Sequence, residues 1–151
     1  MTNSRRLMIL TGLVGVVACS REPAATGVVG AAALSKNGLI GQWAMDCGQG
    51  FGLHNPYLIY AVAGGGVPTE QLLIDGKRNR TTPLQDIAEL AGGFVKWTEK
   101  ADEGLATIVT KVEGRRLKTW RSVHADGTVL VSDGHFSGGA EVPWFSRCDA
   151  K

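Results

Sequence analysis

Several motifs are missing from this 151-residue chain, and each absence removes a class of function. There are only three histidines and three cysteines. His54, His124 and His135 are scattered singly, whereas a metal site needs ligands that converge, such as histidines at i and i+2 of one strand. No Cys-x-x-Cys pair is present to suggest redox or zinc chemistry. No G-x-S-x-G nucleophile elbow exists. Gly64-Gly65-Gly66 lacks the Lys-Ser/Thr that completes a phosphate-binding loop and suits a hairpin turn better. Asp46, Asp75 and Asp133 could in principle pair as acid and base, and the sequence does not show that any two converge. The expectation is therefore a protein that binds rather than catalyses, with no cofactor and no metal.

What the chain does have begins at its start. Arg5 and Arg6 precede an apolar run from Leu7 to Ala18, and Val16-Val17-Ala18 leads into Cys19. This order of basic, apolar and small residues is that of a secretory signal. The run is shorter than the roughly 20 apolar residues that cross a bilayer. Ser20-Arg21-Glu22-Pro23 then ends it. Val16-Val17-Ala18-Cys19 resembles the lipobox of bacterial lipoproteins. An ordinary signal cut would fall before Cys19 as well. The resemblance implies removal of residues 1–18 and acylation of Cys19, palmitate among the chains, which together hold a protein firmly to a membrane. Ser20 after the cysteine resembles the outer-membrane sorting signal of Gram-negative bacteria. The implied location is the outer membrane, facing the periplasm.

Removing the signal takes away Arg5 and Arg6 and leaves 14 basic against 14 acidic residues. A neutral mature chain argues against a nucleic-acid partner, whose phosphates attract clustered Lys and Arg. With Cys19 taken by lipid, Cys47 and Cys148 remain as a pair in an oxidising compartment. A bond between them would close a loop of about 100 residues, worth up to about 4.7 kcal/mol in the chain-entropy model.

Residues 19–37 are rich in Ala, Gly and Val and read as a lipidated N-terminus and flexible tether. A short helix through Val28-Val29 and Ala31-Ala32-Ala33 is the alternative. From residue 38 to 151 the chain reads as one domain punctuated by glycine turns such as Asp75-Gly76, Gly92-Gly93, Glu113-Gly114 and Asp126-Gly127. Between them lie short runs of β-branched and aromatic residues. Strands are expected at Leu39–Cys47, Tyr57–Val62, Glu70–Ile74, Ile87–Leu90, Phe94–Ala101, Leu105–Val112, Leu117–His124, Thr128–Asp133 and Val142–Cys148. Thr82–Leu90 fits a strand or one to two helical turns, since Leu84, Ile87, Ala88 and Ala91 fall at helical spacing. The expected fold is all-β, a small antiparallel meander barrel of about eight strands.

Gly41-Gln42-Trp43 on the first strand matches the G-x-W pattern of lipocalins, so the domain resembles a small lipocalin-like barrel. The resemblance implies a late-strand Arg packed across Trp43, with Arg147 favoured over Arg121. It also implies a cup for a small apolar ligand. Gly41-Gln42-Trp43 together with Phe145-Ser146-Arg147 resembles small periplasmic β-barrel inhibitors of proteases or lysozyme. That implies the second reading, an envelope protein-interaction or inhibitor module.

The remaining candidates are surface features. Trp43, Trp97, Trp120 and Trp144 suit core and rim packing better than a ligand cage. Lys77-Arg78-Asn79-Arg80 is a local basic run that reads as a solvated loop or, less often, a contact for an acidic polysaccharide or headgroup. Arg116, Lys118 and Trp120 share one strand face by the period-two rule and are the best surface-contact candidates.

Overall fold

A computed structural model describes residues 22–101 and 104–148. Cys19 and the signal-like segment lie outside the described residues. The strands are β1 (Ala25–Val29), β2 (Gly41–Ala44), β3 (Tyr57–Val62), β4 (Pro68–Leu73), β5 (Arg80–Pro83), β6 (Gln85–Leu90), β7 (Phe94–Ala101), β8 (Gly104–Glu113), β9 (Arg116–His124), β10 (Val129–Ser132), β11 (His135–Phe136) and β12 (Phe145–Cys148). One short helix, α1 (Ala31–Lys36), follows β1.

All twelve strands belong to one antiparallel sheet, in the order β1-β6-β7-β8-β9-β12-β2-β3-β4-β5. The edge of β9 is shared. Leu117 and Arg116 pair with β12, while Ser122 and Val123 pair with β10, which in turn carries β11. The hydrogen-bonded path has two ends, β1 and β5, and these do not pair with each other. Leu84 alone separates β5 from β6. The segment therefore leaves β4, turns at a buried leucine, and continues beside β7.

Twelve strands replace the eight or so expected. The difference comes from short pieces whose pairing is decided by neighbours rather than by their own pattern. β11 has two residues and β5 has four. The Thr82–Leu90 segment is strand, not helix, because both of its halves complete ladders. Asp86, at φ 49°, absorbs the register shift within β6, and its Oδ2 accepts a hydrogen bond from Thr98 Oγ1 at 2.8 Å.

Residues 25–36 correct the tether expectation. β1 pairs with β6, and Ala33 and Leu34 of α1 are fully buried in the main core. Asn37 Nδ2 donates to the Ala33 carbonyl, and Lys36 pairs with Glu89 at 2.8 Å. Small residues are what allow this. Alanines bring the helix close to the sheet, and burying Leu34 supplies an apolar gain of about 1.5–3 kcal/mol.

The core joins Ala33, Leu34, Leu39, Trp43, Leu84, Ile87, Val95 and Leu117 to Tyr60, Trp97 and Phe145. The Cys47–Cys148 disulfide ties the chain just after β2 to the end of β12, spanning 101 residues. It sits beside the β12–β2 ladder, in which Ser146 faces Ala44 and Arg147 faces Trp43.

Candidate functional site: an open cup with a polar floor

Tyr60, Trp97 and Phe145 belong both to the packed core and to the wall of a cavity of about 600 Å³. They form the layer where dense packing gives way to open space. Tyr60 and Trp97 meet edge to face, with ring centroids 5.6 Å apart. Such pairs contribute about 0.5–1.5 kcal/mol beyond their burial.

Strand alternation builds the walls. Leu58 and Tyr60 of β3, Glu70 and Leu72 of β4, and Trp97 and Glu99 of β7 are two residues apart and face the same interior. On β9 the spacing is three: Thr119 and Ser122 both line the cavity. A bulge explains it. Val109 of β8 pairs with Arg121 while Thr110 pairs with Thr119, so Trp120 is the extra residue and alternation resets after it. Leu130 and Phe136, from β10 and β11, and Leu53, from the β2–β3 loop, complete an apolar rim. These three are also exposed to solvent, so apolar surface runs continuously from outside to floor.

The floor is polar. Glu70 and Glu99 are buried, at 7% and 6% exposure. Tyr60 Oη donates to Glu70 Oε2 at 2.8 Å, and Trp97 Nε1 donates to Glu99 Oε2 at 3.1 Å. Arg80 reaches Glu99 Oε1 at 3.6 Å. The Arg80 Nε is buried and has no hydrogen-bond partner among the described residues. Burial, and then the neighbouring Glu99 charge, raises the Glu70 carboxyl from its ordinary 4.5 to about 7, against the opposing pull of the Tyr60 hydrogen bond and Arg80. Burial, followed by the Glu70 charge, pushes the Tyr60 hydroxyl well above its ordinary 10.0.

The residues singled out from sequence fall into two other places. Trp43 is fully buried and packs in the core rather than in the cup, with its Nε1 donating to the Leu39 carbonyl at 2.8 Å. Arg147 lies over it. Arg116, Lys118 and Trp120 do share the outer face of β9, where they join Phe94, Lys111 and Trp144 in a row of alternating rings and cations. The Arg116 guanidinium is 4.5 Å from the Trp144 centroid, and Lys118 Nζ lies 5.2 Å from Trp144 and 5.9 Å from Trp120. Trp120 also packs edge to face on Phe94 at 5.6 Å. Lys118 corrects the expectation of a free contact face. Its side chain is only 5% exposed and is held by Glu141 at 2.7 Å.

The basic run divides as well. Arg78 pairs with Asp75 at 2.6 Å in the loop, whereas Arg80 lines the cup. Among the described residues no group of three His, Cys, Asp or Glu side chains is placed to hold a metal ion. Sequence reading missed Glu70 and Glu99 as site residues and placed Arg80 only in the basic run 77–80, not in a cavity. One signal was available: Val95, Trp97 and Glu99 alternate along one strand, which puts an acid in phase with the residues most suited to the interior.

No family model matches the chain, and no curated protein or solved structure matches it either.

Proposed function

We propose that this protein holds a small, mainly apolar molecule in the cup, as a lipid-anchored binding protein of the bacterial envelope. The observation that carries the reading is the cavity. Its volume of about 600 Å³ falls within the range of roughly 300–1,000 Å³ typical of small-molecule sites, and its charged lining groups, Glu70, Arg80 and Glu99, lie near one another in a largely apolar wall. The turn at Leu84 supports a barrel-like, lipocalin-like description, because one continuous segment serves both margins of the interior. The reading is binding rather than turnover, since the two carboxyl groups on the floor are held by Tyr60 and Trp97 and no Ser, Thr or Cys nucleophile is hydrogen-bonded to either of them among the described residues.

The anchor is the other half of the proposal. Acylation at Cys19 would leave the described fold close to the outer membrane on its periplasmic side, where apolar ligands partition. An envelope protein partner is the competing role for the same domain. It has less support, because the cations of this outer face are already held: Arg116 of β9 by the Trp144 ring, Lys118 of β9 by that ring and Glu141, and Lys111 of β8 by Glu113.

The test is a titration of the lipid-free domain with N-phenyl-1-naphthylamine, a neutral fluorescent probe. Saturable one-to-one binding with quenching of tryptophan emission is expected, since Trp97 lies in the wall. Absence of binding to this probe and to C12 ligands of every head group would contradict the cup. Loading of Cys19 is tested by fatty-acid labelling in a Gram-negative host. Label should appear in the parent chain and be lost in Cys19→Ser.

A further inference from the structure

We infer that the cup selects an amphiphile with a cationic head, an alkyl or aryl ammonium, and excludes fatty acids. This rests on the cup reading above and adds the head-group chemistry to it.

The inference starts from an imbalance on the floor. Two buried carboxyl groups, Glu70 and Glu99, face one guanidinium, and Arg80 is within ion-pair reach of Glu99 only. Among the described residues Glu70 has no cationic partner within 4.0 Å; its hydrogen-bond partner is the Tyr60 hydroxyl. A buried carboxylate without a counter-charge is costly and takes up a proton unless a cation is brought to it. The groups that face it are Tyr60 from β3, Arg80 from β5 and Glu99 from β7; Arg80 attracts the Glu70 charge from beyond 4.0 Å, and that pull is outweighed by burial and by the Glu99 charge.

The surroundings suit an organic ammonium better than a bare metal ion. Tyr60 and Trp97 line the same space as buried rings packed on each other, and give the head group a border of low polarity in which a strongly hydrated metal ion is costly to desolvate. Leu58, Leu72 and Ile108 give the tail an apolar wall up to the rim at Leu130 and Phe136. At pH 8, where Glu70 is mostly ionised, a fatty acid would bring a third carboxylate beside Glu70 and Glu99 against one guanidinium, which Coulomb repulsion opposes.

The charge balance of binding is definite. An entering ammonium needs Glu70 ionised, so near neutral pH its binding releases the Glu70 proton to solvent. Because that carboxyl titrates at about 7, the competent fraction rises about tenfold between pH 6 and pH 8, and the apparent affinity for the ammonium rises with it.

Three ligands with the same C12 tail separate the claims: dodecylammonium, dodecanol and dodecanoate, each kept below its micellar concentration and competed against N-phenyl-1-naphthylamine. At pH 8 the ammonium should bind at least about tenfold tighter than dodecanol, with dodecanoate weakest. Its affinity should fall about tenfold at pH 6, while that of dodecanol changes little. Glu70→Gln should abolish both the preference and the pH dependence while keeping dodecanol binding. Proton release needs no variant: calorimetry of the unaltered chain in buffers of different ionisation enthalpy should detect about half a proton released per ammonium bound at pH 7. Dodecanoate binding as tightly as the ammonium, or an ammonium preference that survives in a folded Glu70→Gln chain, would overturn the inference. Dodecanol binding without any gain for the ammonium would overturn it and leave the cup intact. Failure of every ligand, the neutral probe included, would overturn both.

Discussion

Arg147 lies over the Trp43 ring, its guanidinium carbon 5.9 Å from the ring centroid, while its two terminal nitrogens donate to the Gly38 and Ile40 carbonyls at 3.0 Å each. The two residues face each other across the β12–β2 ladder. Gly41 makes the approach possible. It sits at φ 138°, and a Cβ there would come within 3.4 Å of an Arg147 terminal nitrogen. The arginine thus ties the last strand to backbone groups just before the G-x-W strand, while the disulfide ties that last strand covalently to the chain just after it.

Trp43→Ala should lower stability by about 3–5 kcal/mol, because the ring is fully buried and its removal leaves a cavity. Denaturant melts measure this. Gly41→Ala should also destabilise, by about 1–3 kcal/mol through its positive φ, and should weaken the Arg147 contact.

Breaking the Cys47–Cys148 bond should cost about 2–5 kcal/mol, since a closed loop of this length restrains the unfolded chain strongly. Thermal melts of a Cys47→Ser, Cys148→Ser double variant against the oxidised parent provide the comparison. Alkylation of the parent before reduction should find neither of these two thiols free.

Stability should fall as pH rises through neutrality, and Glu70 sets the sign. Its carboxyl titrates at about 7 in the folded chain against an ordinary 4.5, so the folded state holds the proton more tightly. The associated stability is fully present below pH 4.5 and is lost as pH rises to about 7. The size is on the order of 3 kcal/mol at most. Glu70→Gln should flatten this part of the curve, as read from chemical melts at pH 5 and pH 8.

The legible parts of the fold are those with strong local punctuation. Tyr57–Val62 and Phe94–Ala101 stand as strands over the very residues that their glycine boundaries and β-forming content mark out. The cysteine pair was legible because two cysteines remain once Cys19 is set aside, and the Arg147–Trp43 contact was legible only through the resemblance carried by Gly41-Gln42-Trp43. β1 and α1 were not. Their residues are small and weakly patterned, and only the neighbouring β6 and the core give them structure. The cup floor was hidden for a similar reason. Glu70, Arg80 and Glu99 lie on three different strands, and charged residues on a strand ordinarily mark its solvent face. Their convergence depends on the path by which the sheet brings β4, β5 and β7 around one space. The bulge at Trp120 hid the rest, since a single extra residue turns Ser122 onto the face that simple alternation assigns to its neighbours.

Gly134→Ala tests whether the outer row of rings and cations is a rigid part of the fold. Gly134 has φ 74°, and a Cβ there would sit 2.5 Å from the Lys118 Cε and 3.3 Å from a Trp120 ring carbon. The substitution should cost about 1–3 kcal/mol and displace Lys118, yet leave binding in the cup unchanged. Melts and probe titration on the same variant read the two effects separately.

The most direct test of the account is methyl chemical-shift mapping of the lipid-free domain during titration with the neutral naphthylamine probe. The cup predicts shifts at Leu58, Leu72, Ile108 and Leu130, with Leu105 and Val29, exposed and away from the cavity lining, unmoved. Shifts confined to residues outside the cavity, or none at saturating probe, would contradict it.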